Sequence, residues 1–439
     1  MQGIPPRPYV QGSAAGLALE TTEEQLTDGA GLAPFRALWD RLGLGAHLNG
    51  VLGWVRGRYR PALHIEQWLT MLQYGGTHMD HLPLLETRGV QALFGWEKVV
   101  DPTTFGRFAR KSGERAAKEL DQVLRRVVKA RWDATGGVPR SVMLLFDSTV
   151  VLRYGVKQAG AEVGYNPRKR GRPSHHPHLA FLDTGDCVGV RWRPGKANCA
   201  EGLEEWAEDL VGWLRAQGVK QILVRLDKGY FKVAVIEKLK SLGVSFVMKM
   251  QESNTLQRYK GPFSPSAEDP RLEVSEGGRW GVRMLCVRQM EAAPEGELAL
   301  GRVVIEDQAT ILTNIASIDP ITAWRMYNQG AQVEHRIEEM GQLGAGRTAV
   351  DDLGGNHLLW GLAALAYEMQ HFVRTAALDR TAELRQVKTL RALVIRTPGK
   401  LVRHARKLSL KLMRSDPVTE LLGRALERIA RLRTTPLTT

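Results

Sequence analysis

SVMLLFDSTVVLRYG, residues 141–155, decides the fold: it is a near-continuous run of β-prone side chains in which LLFD ends on the acid Asp147. A strand covered on one face alternates apolar and polar residues, whereas one buried on both faces is apolar throughout. The run therefore predicts a strand in the middle of a covered sheet. A turn-rich basic stretch follows, VKQAGAEVGYNPRKRGRPS, then a strand pair in HLAFLDTGDCVGVRWRPG. Beyond it alternate a helix (GLEEWAEDLVGWLRAQG), a strand (QILVRLD), a helix (FKVAVIEKLKSLG) and a strand (VSFVMKM). Three early strands followed by helix–strand alternation describe an α/β fold, a mixed sheet covered by helices.

Residues 252–316 break the alternation with Pro and Gly clusters and short β-like runs, RWGVRMLCVRQM and GRVVIEDQATILTNI, and read as a β-rich insertion. Helical spacing returns in ITAWRMYNQGAQVEHRIEEM, within a helix expected over 320–342, and in HLLWGLAALAYEMQHFVRTAAL. Upstream, PFRALWDRLGL, HIEQWLTMLQY, LPLLETRGVQALFGW and RAAKELDQVLRRVVKARW have the same three- and four-residue spacing. Between them DPTTFGRFARKSG (101–113) predicts a short helix displaying Thr104, Arg107, Arg110 and Lys111, similar to a helix-turn-helix module. The expected organisation is a flexible arm (1–31), a helical DNA-binding region (32–140), the core's first part (141–251), the insertion (252–316), the core's last helices (317–376) and a basic helical C-terminal region (377–439).

The 61 Lys and Arg against 47 Asp and Glu leave a net charge of +14, which suits a polyanionic partner, nucleic acid before membrane. Much of the excess lies in residues 380–439, with 15 Lys and Arg against 4 Asp and Glu. There KLVRHARKLSLKLMR is expected to form an amphipathic basic helix on a phosphate backbone. Three cysteines without a CxxC pair exclude a disulfide framework and structural zinc, and point to a reducing cytosol. The start lacks a signal-peptide layout, and no apolar stretch approaches membrane-spanning length.

Asp147 and Asp227 each end a hydrophobic strand, where an acid is unfavourable unless it faces a cleft, a cation or water. Ends of adjacent strands converge on one sheet edge, where ligands commonly bind. Two hard carboxylates there suit divalent ions about 4 Å apart that clamp the attacking and leaving oxygens of a phosphodiester. A third carboxylate is wanted from a helix, and 320–342 offers Glu334, Glu338 and Glu339, the first two on one face.

FDST around Asp147, GAEVGYNPRKRGRPSHHPHLAF, and RLDKGYF around Asp227 resemble the DDE transposases of bacterial insertion sequences, the group with a GYNP…GR-S hairpin after the first catalytic strand. The likeness runs from about 141 to 375 and implies a ribonuclease-H-like core with an inserted β domain, flanked by helical N- and C-terminal regions. In that group the third acid lies in a Tyr-x-x-Arg-x-x-x-Glu-x-x-x-x-x-x-Lys signature. Here Tyr327 and Glu334 carry over as signature tyrosine and metal ligand, while Gly330 and Gly341 stand in the Arg and Lys positions, with Arg336 and Arg347 as candidate substitutes; Tyr327 and Arg336 are expected to meet the DNA. The resemblance implies catalytic and metal roles for Asp147, Asp227 and Glu334. It implies Mg2+ (Mn2+ as substitute), cleavage at terminal inverted repeats, strand transfer into target DNA, and a homodimer on DNA in the nucleoid. The alternatives are an inactive transposase-derived DNA-binding protein and a nuclease without strand transfer.

Around this centre, Arg168, Lys169, Arg170 and Arg172 form a basic turn read as a DNA-backbone clamp, and Lys228 after Asp227 is placed to meet a phosphate. His175, His176 and His178 lack zinc-like spacing and read as polar residues flanking a strand. Trp280, on an expected turn beside Arg279, is read as packing, with base stacking the other role. RPGKAN lacks Walker A spacing, and Asp183 and Asp186 read as turn formers.

Overall fold

The computed structural model describes residues 22–153, 157–166, 169–290, 305–329, 332–347, 349–378, 386–405, 407–414, 416–433 and 437. It opens with a short strand, β1 (Gln25–Thr27), and five helices: α1 (Ala33–Leu42), α2 (Leu44–Val51), α3 (Pro61–Tyr74), α4 (Arg88–Phe94) and α5 (Pro102–Ala134). Helix α1 starts with Pro34 in its first turn, buries Phe35, Leu38, Trp39 and Leu42 on one stripe, and stops at Gly43, whose φ of 65° closes the helix. Asp101 caps α5, accepting from the amides of Thr103 (2.8 Å) and Thr104 (3.3 Å). The expected short helix at 101–113 is the first limb of this 33-residue element, kinked at Gly113 (φ 54°, ψ −152°). Its cations are partly engaged: Arg110 pairs with Asp351 (2.7 Å), and Lys111 donates to the Arg56 carbonyl. The described part of the expected N-terminal arm is packed, since β1 pairs with a C-terminal strand and Ala30 and Gly31 are buried.

The central run forms β2 (Ser141–Ser148), followed by the short strands β3 (Val151–Leu152), β4 (Glu162–Val163) and β5 (Pro173–His175). Next come β6 (His178–Leu182), β7 (Cys187–Arg191), α6 (Leu203–Gln217), β8 (Gln221–Leu226), α7 (Val233–Ser241) and β9 (Ser245–Lys249). A short helix α8 (Asn254–Gln257) leads to β10 (Ser264–Pro265), β11 (Leu272–Arg279), β12 (Val282–Met290) and β13 (Ile305–Thr313). Helices α9 (Pro320–Asn328), α10 (Gln332–Gln342) and α11 (Leu353–Phe372) follow.

Nine strands join in the order β10-β11-β12-β13-β9-β8-β2-β6-β7. Within it β2, β8 and β9 run parallel, while β6 and β7 form the antiparallel side. This is the ribonuclease-H-like mixed sheet. The strands of the expected insertion continue it, because β13 pairs antiparallel with β9 (Leu312↔Met248) and covers what would be an open edge.

Strand β2 is apolar because both faces are covered. Val142, Leu144 and Phe146 pack with Trp206, Leu210 and Ile236 of α6 and α7, whereas Met143 and Leu145 join the cluster of Leu358, Leu362 and Leu365 on α11. Helices α11 and α5 lie against each other beneath that second face.

Two expected elements differ. The helix over 320–342 is two helices, α9 and α10; Gly330 lies outside the described residues. KLVRHARKLSLKLMR is not a helix but a hairpin, Gly399–His404 paired with Lys407–Lys411 and, on its other side, with β1. The reason is its period: in KLSLK the leucines are half-buried and the Lys and Ser exposed in strict alternation, a strand pattern. Ala405, at φ 46°, makes the turn.

Candidate active site

Asp147 and Asp227 owe their neighbourhood to register. The parallel pairing of β2 and β8 sets Leu145 against Arg225, and two residues further the same register brings Asp147 level with Asp227. Alternation puts both on the sheet face of Met143 and Leu145, because Val224 and Leu226 point into the α6–α7 core. Asp147 is the penultimate residue of β2, and Asp227 directly follows β8 at the start of the turn Lys228–Tyr230. Both line one cavity of about 620 Å3, together with Lys228, Lys196, Asn198 and Tyr165.

Neighbouring groups hold each acid. The Ser148 amide donates to Asp147 Oδ1 (2.7 Å), and the Tyr327 hydroxyl donates to Asp227 Oδ1 (2.9 Å). Tyr327 is itself fixed, since Arg225 donates to its carbonyl (2.9 Å) and lies over its ring at 4.3 Å. Burial pushes the Asp147 carboxyl up to about 6; the charges of Asp227 and Glu334 add to the rise, and the Ser148 amide and Arg225 oppose it. Burial likewise raises the Tyr327 hydroxyl above its ordinary range, so it stays a donor at neutral pH.

Glu334 stands in the first turn of α10, exposed, and its charge acts on Asp147. It lines a second cavity, of about 910 Å3, with Glu338 and Gly341, and the two cavities share Thr149 and Val150. Glu339 is drawn off to Arg374 (2.9 Å). The three acids supply hard oxygen donors with surplus negative charge, which fits a divalent cation in kind. Among the described residues, however, no three His, Cys, Asp or Glu side chains converge closely enough to hold a metal ion. Two of the acids are aligned, and the third stands off on its helix.

The remaining expected site residues divide. Lys228 is exposed on the cavity wall. Lys169, Arg170 and Arg172 are exposed on the turn before β5, where the Lys169 amide donates to Asn166 Oδ1 (2.9 Å); Arg168 lies outside the described residues. Arg336 donates to the carbonyls of Leu182 and Asp183 at the β6–β7 turn, and Arg347 contacts His78 (2.7 Å). The Arg336 guanidinium thus ties α10 to the sheet, and the Tyr327 hydroxyl, expected to meet DNA, meets Asp227. Trp280 and Gly281, with φ of 56° and 66°, form the two-residue β11–β12 turn, and Trp280 packs on Phe231 at 4.9 Å.

Four participants were not anticipated. His176 Nδ1 donates to the Ala197 carbonyl (2.9 Å), so its bare Nε2 accepts from the Ser148 hydroxyl (3.0 Å). Cys199 Sγ lies 3.4 Å from that hydroxyl. Arg225 is the fourth; its sequence signal was a lone cation two residues before Asp227, on the same face of an apolar strand. Asp186 is more than a turn former: buried, it accepts from Arg131 at 2.7 Å through both oxygens and from Trp132 at 2.9 Å.

A family model described as "Transposase DDE domain group 1" matches residues 11–434, nearly the whole chain. The chain belongs to the DDE transposase family. No curated protein matches the transposase. Among solved structures, it is similar to the piggyBac transposase synaptic complex with hairpin DNA, seen by cryo-EM, at 13% identity and a TM-score of 0.42 over 84% of this chain and 81% of that one. No helix among the transposase's described residues is long and apolar enough to cross a membrane.

Proposed function

We propose that this transposase cuts DNA at the ends of its element and joins the freed 3′ hydroxyls to target DNA, with Asp147, Asp227 and Glu334 as its catalytic carboxylates. The observation that carries the reading is the pair of in-register strand-end aspartates in one cavity, with Asp147 held up in pKa by burial and by the other two acids. Such a deficit of positive charge is relieved by a cation. Mg2+, or Mn2+ in its place, would supply Lewis-acid charge and an activated water when bound by these acids. The protein's own part is positional. Tyr327 and the Ser148 amide keep the two aspartates aimed into the cavity, and α10 brings Glu334 to its border.

Lys228 and the basic turn Arg168, Lys169, Arg170 and Arg172 are assigned to backbone phosphates, as expected for a contact that positions DNA without reading sequence. Arg336 remains a candidate only if DNA draws it from the β6–β7 turn. The six-part organisation set out from the sequence, a homodimer engaging both inverted repeats, and a nucleoid location belong to the same proposal.

The test is incubation of the intact protein with Mg2+, a labelled duplex bearing the inverted repeats that flank its gene, and a target plasmid. Joined product lost in Asp147→Asn supports the reading. Cleavage without joining turns it to a nuclease. Binding without cleavage in wild type and variant alike overturns it in favour of a DNA-binding protein.

A further inference from the structure

We infer that Tyr165 and Lys196 form a nucleotide cradle on the rim of the aspartate cavity, the ring receiving one unpaired base and the ammonium its phosphate. The inference rests on the proposed DNA-cutting function and names where the strand beside the aspartates is held. Tyr165 is 67% exposed and lines the same cavity as Asp147 and Asp227. Its ring lies 6.4 Å from that of His176, the residue that positions Ser148. Lys196, also exposed, lines the cavity with it, and Lys228 completes the basic rim.

Their placement is built, because the two loops that carry them are clasped backbone to backbone. A Cβ on Gly164 would lie 1.9 Å from the Gly195 carbonyl oxygen, and one on Gly195 would lie 2.2 Å from Ser174 O and 2.3 Å from Glu162 O. Only glycine at both positions allows so close an approach. The Gly195 amide donates to the Gly160 carbonyl (3.0 Å), the His176 amide donates to Arg193 O (3.1 Å), and the Lys196 amide donates to Glu162 Oε2 (3.3 Å). Arg193 closes the loop from inside by donating to the carbonyls of Asn198 (2.8 Å) and His176 (3.2 Å). The residue after each clasped glycine, Tyr165 on one loop and Lys196 on the other, is thereby delivered to the rim. An exposed aromatic face beside a cation, at the mouth of an acidic phosphodiester site, fits a base with its phosphate; a protein partner would not need the cavity.

The test uses the intact protein, a ten-residue oligothymidylate, the same length of abasic deoxyribose phosphate, and an oligothymidylate with one 5-iododeoxyuridine for photocrosslinking. Tyr165→Ala should weaken oligothymidylate binding by roughly 5- to 100-fold and leave abasic binding unchanged, with Tyr165→Phe near wild type. Lys196→Ala should weaken both and lower the slope of log K against log salt by about 0.7. The crosslink should fall within 162–166. A Tyr165→Ala variant that binds oligothymidylate like wild type, a Tyr165→Phe variant as impaired as Ala, or a crosslink elsewhere would overturn the cradle. A crosslink at Tyr165 in a wild type that never cleaves would sink the catalytic reading alone; cleavage with the crosslink elsewhere would sink the cradle alone.

Discussion

Replacing Asp147 by Asn should make the metal-free protein more stable while abolishing its chemistry, and the size of the gain follows from the site. The Asp147 carboxyl titrates at about 6 rather than 3.8, chiefly through burial and then through Asp227 and Glu334. Each pKa unit corresponds to about 1.36 kcal/mol, so the ionised carboxylate costs the fold at most about 3 kcal/mol. The sign is that of an acid raised on folding. Between pH 3.8 and 6 the native state binds more protons than the unfolded one, so stability falls as pH rises through that window. The penalty is complete above it and shrinks to about 0.5 kcal/mol by pH 4. Asn keeps an acceptor for the Ser148 amide and carries no charge. Its new N–H groups need partners, which returns about 1 kcal/mol of the gain.

Urea unfolding in EDTA should therefore show Asp147→Asn about 1–3 kcal/mol more stable than wild type at pH 8, with little difference at pH 4. Added Mg2+ should raise the wild-type midpoint and leave the variant's where it was. A variant no more stable than wild type at pH 8, or equally favoured at both pH values, would refute the electrostatic account of the site.

Tyr327→Phe removes the 2.9 Å hydrogen bond to Asp227 while keeping the ring under Arg225, so end cleavage should fall about 10- to 100-fold with an almost unchanged unfolding midpoint. Gly195→Ala drives a methyl onto two carbonyls, and should unseat the loop and yield poorly folded protein. Gly212→Ala, in α6 with nothing within 4 Å, should raise stability by about 0.5–1 kcal/mol in urea unfolding. Asp186→Ala leaves Arg131 buried without its anion and should lower stability by about 3–5 kcal/mol in urea.

The core was legible because its central strands are apolar runs covered on both faces. SVMLLFD and ILVRLD announce buried strands, and their terminal acids stand out against apolar runs. That the two strand ends lie side by side was inferable from the expected topology; the register that sets Asp147 level with Asp227 comes from the pairing itself. What escaped depends on distant pairing. KLVRHARKLSLKLMR carries enough charge to suggest a helix, and its two-residue period becomes decisive only when β1, nearly four hundred residues away, pairs with it. The extension of the sheet by β13 to β10 was hidden for the same reason, since the edge it covers belongs to β9. His176, Cys199 and Lys196 were set aside because they match no ligand spacing, yet the glycine clasp brings their loops to the cavity. Only a backbone approach of two loops makes them part of the site.

The contrast between the aspartates and Glu334 has a physical origin. A strand-end acid is held by its neighbours on both sides, so its place is set once the sheet forms, and its burial is endured because it is small and hydrogen-bonded. Glu334 projects from an exposed helix turn, where a carboxylate keeps its hydration, and neighbouring carboxylates repel one another. Two acids are thus fixed by the sheet, and the third stands on the adjoining helix, where its charge adds to the rise of Asp147. Under the proposed function a cation would bring the three acids together, and the contacts that hold α10 are those of Arg336 with the β6–β7 turn and of Glu339 with Arg374, both beyond Glu334 along the helix.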